Sequence, residues 1–365
     1  PPRTLTELLA KLEGWRVAME ASLAAAPTER LEETWGRALS PQQPLVEVPG
    51  QYNTDVEPAL DQHALVERLQ ATVAVRRDAA TGATTRIVTL IGDDCVRYPF
   101  AVDVATPLQP SRALRLERVS QLVRLLNRRL LESREARRRA LRLSTPGGCR
   151  LSPSTSLVAA DASALSLGAL LARSRADAGV SPYAAALAHQ RTVARDEPTE
   201  QRLRQAFEAA SAQVPADSLS KALHAGVPSA EHLWQLRRAF AGQLGLHSLA
   251  CYSLGLRATQ PQAITVARAS GAVVLDGTFD ATPPPAGVAV PFRLTRNLQH
   301  FLAPHAVDGA FAAAACAAAG ALSAAPAAPL ELWVDFLGGQ HAPWAATGAE
   351  AAARVRELSP ELAVR

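Results

Sequence analysis

Lysine is nearly missing from this chain: of its 38 basic residues only Lys11 and Lys221 are lysines, the rest being arginine. Arginine and alanine enrichment together reflect GC-rich coding more than selection for binding, and a formal net charge of +4 over 365 residues is modest. Cysteine is scarce as well. Cys95, Cys149, Cys251 and Cys316 stand far apart, with no C-x-x-C pair and no histidine at ligand spacing. That excludes a zinc-ribbon type of site and leaves free thiols in a reducing compartment. The eight histidines form no metal spacing and are read as structural, His232 and His247 among them. No apolar run reaches the roughly 20 residues that span a bilayer; the nearest, AFAAAACAAAGALSAAPAA, is alanine broken by glycine and proline. No secretory signal opens the chain.

What is present suits a two-lobed globular protein, with 48% hydrophobic and 20% charged residues. LTELLAKLEGWRVAMEASL sets Leu5, Leu8, Leu9, Leu12 and Trp15 on one stripe, and a second, antiparallel helix is expected from about residue 27 to 39. Pro41-Gln42-Gln43-Pro44 marks a linker. Strands are expected over 45–48, 71–77, 86–91 and 96–102, the first at a sheet edge and the last two forming a hairpin around a Gly-Asp-Asp turn. Further on the pattern turns helical: 199–211, 219–225 and 230–253. Ser229 is the N-cap candidate of the last helix, with Leu233, Leu236, Phe240, Leu244 and Ser248 facing its core. His232 stands where a capping box would want glutamate, so half of that box is expected. Two more helices follow Asn297, the second nearly all small residues.

Residues 124–142 carry eight arginines against Glu132 and Glu135, while Leu122, Leu126 and Leu130 recur every fourth residue. One amphipathic helix is expected, apolar inside and basic outside. Its basic face is read first as solvated or internally paired, next as a protein-partner surface carried by Arg128, Arg134, Arg137, Arg138 and Arg139, and last as a phosphate or nucleic-acid contact. No aromatics are interleaved, so direct nucleic-acid binding is not expected.

Between Tyr252 and Phe279 runs YSLGLRATQPQAITVARASGAVVLDGTF. Its frame resembles the catalytic segment of the phosphatidylinositol 3-kinase-related kinases, Y-x-L-G-L-G-D-R-H-x-x-N-L followed by a hairpin ending S-G-x-h-h-H-h-D-F-G, with h apolar. Tyr252, Leu254, Gly255, Leu256, Pro261, Ile264, Ser270 and Gly271 fall on it without a gap. The residues that carry chemistry do not. Ala258 stands at the place of the catalytic aspartate, with Thr259 and Gln260 after it; Ala263 replaces the metal-binding asparagine and Gly277 the metal-binding aspartate. The strand that ends in a phosphate-gripping lysine in active relatives ends here in Asp103, and Glu117, near the place of that lysine's acidic partner, has no lysine to meet. Phosphoryl transfer rests on positioning and charge neutralisation by bound magnesium, so these replacements remove its means. Only Gly92 remains of a glycine cradle, and Pro283-Pro284-Pro285 occupies the activation-loop region.

Five further stretches, VEVPGQY, RIVTLIGDDCVRYPFAV, ERVSQLVRLLN, PSAEHLWQLRRAFAGQLGL and VPFRLTRNLQHFL, are similar to the transformation/transcription domain-associated protein (TRRAP) family, the non-catalytic branch of these kinases. The resemblance implies an α+β, bilobal, protein-kinase-like pseudokinase, with a small β-rich lobe and a larger helical lobe preceded by a short helical bundle. Its expected parts are 1–44, similar to the rapamycin-binding module region; 45–150, the N-terminal lobe; 151–330, the C-terminal lobe; and 331–365, a helical extension without the closing tail. It implies no enzyme, no cofactor and no metal. It implies instead the head of a very long nuclear scaffold in histone acetyltransferase complexes such as SAGA. Partners would be other complex subunits, and transcription activators docking on helical repeats outside this chain; no membrane is implied. The competing reading is an active kinase of the same fold with relocated groups, resting on Asp276 and Asp280.

Overall fold

A computed structural model describes residues 4–24, 29–30, 46–52, 62–77, 84–104, 112–152, 154–161, 164–177, 200–212, 215–254, 264–267, 271–274, 294–305, 307–324, 328–338 and 347–362. They fall into two compact units, one comprising 1–111 and 147–160, the other 112–146 and 161–365. The expected division between residues 150 and 151 instead separates two paired strands of one sheet, Gly148–Arg150 and Thr155–Ala159, and the helix beginning at Arg112 groups with the helices rather than with the sheet.

The first unit is built on a sheet. Its strands are β1 (Glu29–Arg30), β2 (Val66–Leu69), β3 (Thr72–Arg77), β4 (Thr84–Gly92), β5 (Arg97–Val104), β6 (Gly148–Arg150) and β7 (Thr155–Ala159), in the order β1-β3-β4-β5-β7-β6, with β2 also paired to β4. All pairings are antiparallel. The β4–β5 hairpin turns where Gly-Asp-Asp was expected to turn it. Cys95 takes φ +62°, and Asp94 holds the bend by accepting from Val96 N–H at 2.9 Å and from the Tyr98 hydroxyl at 2.5 Å. The Tyr98 hydrogen bond draws the Asp94 pKa down, and the same bond pushes the tyrosine up. Asp93 accepts from Leu65 N–H at 2.8 Å and so ties β2 to the turn.

Two expectations fail in this unit. Within the helix expected over 27–39, Glu29 and Arg30 form a short strand against Val73 and Thr72, and the rest of that range lies outside the described residues. The open edge of β3 offers unpaired backbone groups that two extended residues satisfy at once. The edge strand expected over 45–48 is only a single bridge from Glu47 to Leu65. Helix α1 (Leu5–Ala24) forms as expected, but its stripe is open to solvent, with Leu5 73% and Trp15 56% exposed.

The second unit is mainly helical. In chain order it holds α2 (Arg112–Glu132), α3 (Arg134–Arg138), α4 (Leu167–Asp177), α5 (Glu200–Ala212), α6 (Ser218–His224), α7 (Ala230–Ser253), α8 (Arg296–Leu302), α9 (Ala310–Ser323), α10 (Ala328–Gly338) and α11 (Gly348–Leu362). It also holds a small sheet of β8 (Ala164–Ser166), β9 (Thr265–Ala267) and β10 (Val273–Val274). Two apolar cores meet on α7. Leu236, Phe240 and Leu244 pack with Leu219 and Leu223 of α6, Leu298 and Phe301 of α8, and Ile264 and Val266. A turn later Leu246, Leu249, Ala250 and Cys251 join Leu122, Leu126 and Leu130 of α2, Ala314 and Ala318 of α9, Val334 of α10 and Val355 of α11. From Leu244 to Cys251 every residue is buried, so α7 leaves the surface and runs through the interior. Burying a large apolar side chain is worth about 1.5–3 kcal/mol, and α7 supplies such side chains to both cores.

The sequence of α9 explains how close α7 comes to it. Alanine has the highest helix propensity and no bulk beyond Cβ, and Ala314, Ala318 and Ala321 form the buried stripe. Gly245 completes the fit, because a Cβ there would collide with the carbonyl of Phe311. Gly245→Ala is expected to lower the unfolding free energy by about 1–3 kcal/mol in urea titration, as overpacking does. Gly320→Ala, on the same interface helix but with nothing within 4 Å of the new methyl, should gain about 0.5–1 kcal/mol.

His247 sits inside this crowded stretch, 2% exposed, with Cys251 Sγ 3.7 Å from its Nδ1. Burial lowers its pKa to about 4. The native state therefore excludes a proton that the unfolded chain takes up below about pH 6.5, so stability is lost as pH falls from there toward 4. Urea unfolding at pH 7 and pH 5 should show His247→Gln losing about 2 kcal/mol less than the wild type over that interval.

Candidate functional site

The frame of the degenerate catalytic segment is set by α7 at one end and the small sheet at the other. Ser229 caps α7, its Oγ accepting from His232 N–H at 3.3 Å. His232 Nδ1 lies 2.7 Å from the same Oγ, so its side chain meets the capping hydroxyl and not the Ser229 N–H that a capping-box glutamate would satisfy. The helix delivers the segment from inside the core. Leu254, its C-cap, is 2% exposed and donates its N–H to Ala250. The chain is described again at Ile264, also buried, whose carbonyl accepts from Leu167 N–H at 2.9 Å. Next comes β9, paired with β8 through Leu165 and Val266 and with β10 through Val266 and Val273. Gly271 makes the hairpin between β9 and β10: it adopts φ +69° and donates its N–H to Ala267 at 2.8 Å. A Cβ there would lie 2.9 Å from Leu236 O, so only glycine combines this conformation with this approach to α7.

Of the residues on the motif frame, Tyr252, Leu254, Ile264 and Gly271 are thus placed, while Gly255, Leu256, Pro261 and Ser270 lie outside the described residues. Ala258, Ala263 and Gly277 lie outside them too, as do Asp276 and Asp280. Asp103 is described: it stands near the end of β5, half-buried, opposite Ser156 of β7. Residues directly opposite in an antiparallel pair share a face, so this carboxylate lies beside the buried Ser156 hydroxyl, which has no partner among the described residues. Glu117 is exposed on α2. Among the described residues no cluster of histidine, cysteine and carboxylate fit to hold a metal forms, and no helix is long and apolar enough to cross a membrane.

The basic run is not one helix. It breaks at Ser133, which leaves the helical conformation (ψ 126°) and caps α3 by accepting from Ala136 N–H at 3.4 Å. Serine competes for backbone donors, which is why it ends α2 and starts α3. The chain then bends through Ala140 at φ +51° and returns Leu141 and Leu143 to the core. Two of the arginines are committed locally: Arg129 pairs with Glu132 at 2.8 Å and lies over the Trp333 ring, and Arg139 pairs with Glu135. Arg128, Arg134, Arg137 and Arg138 are exposed.

Sequence reading missed what holds this bend. Asn127 of α2 accepts from Leu143 N–H at 2.8 Å and donates to Leu143 O at 3.0 Å, a two-bond clamp across sixteen residues. It also missed a complete capping box on α11, where Thr347 Oγ1 accepts from Glu350 N–H and Glu350 Oε2 accepts from Thr347 N–H at 2.9 Å. The Thr-x-x-Glu spacing was its legible signal. Asn127→Ala leaves two backbone groups without this partner and should cost about 1–3 kcal/mol, measured by thermal or urea unfolding.

A β-rich unit, a helical unit and a hairpin framing a Y-x-L-G-L segment define a phosphoinositide-kinase-like fold. Residues 107–345 match the phosphatidylinositol 3- and 4-kinase family, and the chain belongs to that family, as a phosphatidylinositol 3-kinase-related domain of the TRRAP type. It is 31% identical over 335 residues to the transformation/transcription domain-associated proteins of Danio rerio, Mus musculus and Homo sapiens, with 86% of this chain covered in each comparison. The chain spans only 8%, 13% and 8% of those three proteins. Among solved structures it superposes on the FAT and kinase domain of CtTel1 with a TM-score of 0.63 and 16% identity, covering 87% of this chain and 22% of that one. The complete CtTel1 dimer with C2 symmetry gives 0.64 over 89% of this chain and 13% of the other, again at 16% identity. Those two likenesses concern the fold.

Proposed function

We propose that this chain is the non-catalytic head of a large transcription coactivator scaffold, working in histone acetyltransferase complexes such as SAGA. The observation that carries the reading is the pairing of a retained frame with replaced chemistry. Tyr252, Leu254, Ile264 and Gly271 keep the positions that shape the segment, while Ala258, Ala263, Gly277 and Asp103 stand where a kinase holds its base, its two metal ligands and its phosphate-binding lysine. Without a carboxylate or amide at 263 and 277, magnesium loses both of the ligands the family frame supplies, and Asp103 repels phosphate where the lysine would attract it.

Similarity to the transformation/transcription domain-associated proteins supports a nuclear role in transcription complexes. In this reading the domain contributes assembly: other complex subunits dock on it, and activators engage helical repeats elsewhere in the longer protein. Arg128, Arg134, Arg137 and Arg138, with Arg139 behind its Glu135 pair, form a surface on α2 and α3 suited to an acidic protein partner. Exposed guanidinium groups keep their charge at every physiological pH, which favours steering of such a partner.

The test is a melting curve with and without millimolar magnesium-ATP, paired with a phosphotransfer assay. A ligand at 100 times its Kd would stabilise the fold by about 2.7 kcal/mol. The expected outcome is an unchanged midpoint and no transfer. A magnesium-dependent shift with transfer lost in Asp276→Ala would overturn the proposal in favour of a kinase with relocated groups.

A further inference from the structure

The second of the two lysines lies in a trough of ≈ 520 Å³ within the helical unit. Asp217, Ser220, Lys221 and His224 line it from the start and one face of α6, Arg237 enters from α7, and His300 and Ala303 come from the end of α8. The spacing makes this wall: 217, 220, 221 and 224 recur at three and four residues, so the polar groups share one side of α6, while Leu219 and Leu223 turn into the core. A side of the trough is rigid. Arg237 donates from Nε to Phe301 O at 3.1 Å and from a terminal nitrogen to Ala303 O, with its guanidinium 5.5 Å from the Phe301 ring centroid. Those bonds pin the cation to the last carbonyls of α8, and a guanidinium has five N–H donors, so donor capacity remains. Ser220 Oγ and His300 Nδ1 lie 3.3 Å apart and link α6 to α8 across the trough.

A pinned guanidinium, a mobile ammonium, two imidazoles and a hydroxyl thus face one carboxylate. Asp217 is that carboxylate, and only half of it is engaged. It meets Lys221 Nζ through Oδ2 alone, at 2.9 Å, while its Oδ1 is enclosed and accepts nothing among the described residues. Nor does it serve the helix, for its side chain makes no cap bond to α6. The Lys221 contact is the main cause that holds the Asp217 pKa below the usual carboxylate range. Lys221 itself is 73% exposed, free to swing to a better anion.

We propose that this trough binds a phosphate monoester, with Lys221 and Arg237 as its charged anchors, Ser220, His224 and His300 as further donors, and Asp217 as the internal anion it displaces from Lys221. The assignment does not depend on the coactivator reading, because the trough involves neither the degenerate segment nor the arginines of α2 and α3. Its volume is several times that of one phosphate and lies within the range of small-ligand sites, so the group arrives on a carrier, either a small molecule or a phosphorylated serine side chain.

Isothermal titration of the whole chain would use inorganic phosphate, O-phosphoserine, and a serine-phosphorylated peptide with its unphosphorylated twin. The phosphorylated peptide is expected to bind and its twin not. Lys221→Gln should weaken binding at least fivefold with an unchanged melting curve, Lys221→Arg should restore it, and Asp217→Asn should tighten it severalfold by removing the competing anion. Phosphoserine or phosphate binding as tightly as the peptide would assign the site to small phosphorylated molecules, still as proposed. Equal binding of the two peptides, or Lys221→Gln and Asp217→Asn both matching the wild type, would overturn it.

Discussion

The helical unit depends on one close crossing, that of α7 over α9. It exists because side chains are missing: Gly245 on one helix and the alanine stripe Ala314, Ala318, Ala321 on the other let backbone approach backbone. Everything nearby is arranged around that contact. Held there, α7 supplies apolar residues to both cores, and its last turn sends the motif segment out from beneath Leu254. Gly271 then brings the β9–β10 hairpin back against Leu236 of the same helix. The segment is thus anchored at both ends to a helix whose position owes nothing to catalytic residues.

That independence is what the proposed non-catalytic reading requires of a kinase-like frame. In a catalytic segment some residues shape the backbone and others touch substrate, and the two sets are energetically separable when the shaping residues are buried. Here Leu254, Ile264, Val266 and Val273 are buried and in the cores, whereas positions 258, 263 and 277 hold alanine, alanine and glycine. Replacing an aspartate or asparagine by alanine or glycine removes ligands for metal. On the proposed reading, a scaffold keeps the shape of a kinase because the residues that set the shape are not the ones that would carry its chemistry.

Much of this was legible in sequence. Strong periodicity gave α7 its bounds of 230 and 253 and placed Leu236, Phe240 and Leu244 inside; the Asp-Asp turn between alternating strands marked the β4–β5 hairpin. Errors arose where tertiary contacts outweigh local pattern. The 124–142 run looked continuous because leucine spacing persists to Leu130, and the break rests on Ser133 together with a clamp from Asn127 to Leu143 that only three dimensions reveal. Short strands such as β1, β2 and β6 carry too few residues to show alternation; their pairing partners define them. The replaced residues of the motif were readable from their positions alone, whereas the trough beside Lys221 was not, since it joins three helices distant in sequence.

The alanine-built α9 has a thermodynamic corollary. Most interior helices surrender rotamer freedom when they fold, about 0.5–1 kcal/mol for each buried leucine, but alanine has no rotamers to surrender. The alanine stripe of α9 thus enters this interface at almost no side-chain entropy cost. It should also offer few alternative packings, because two backbones in contact cannot repack by rotating a side chain. A helix that reads as compositional drift toward alanine is, in this fold, the part with the least conformational choice.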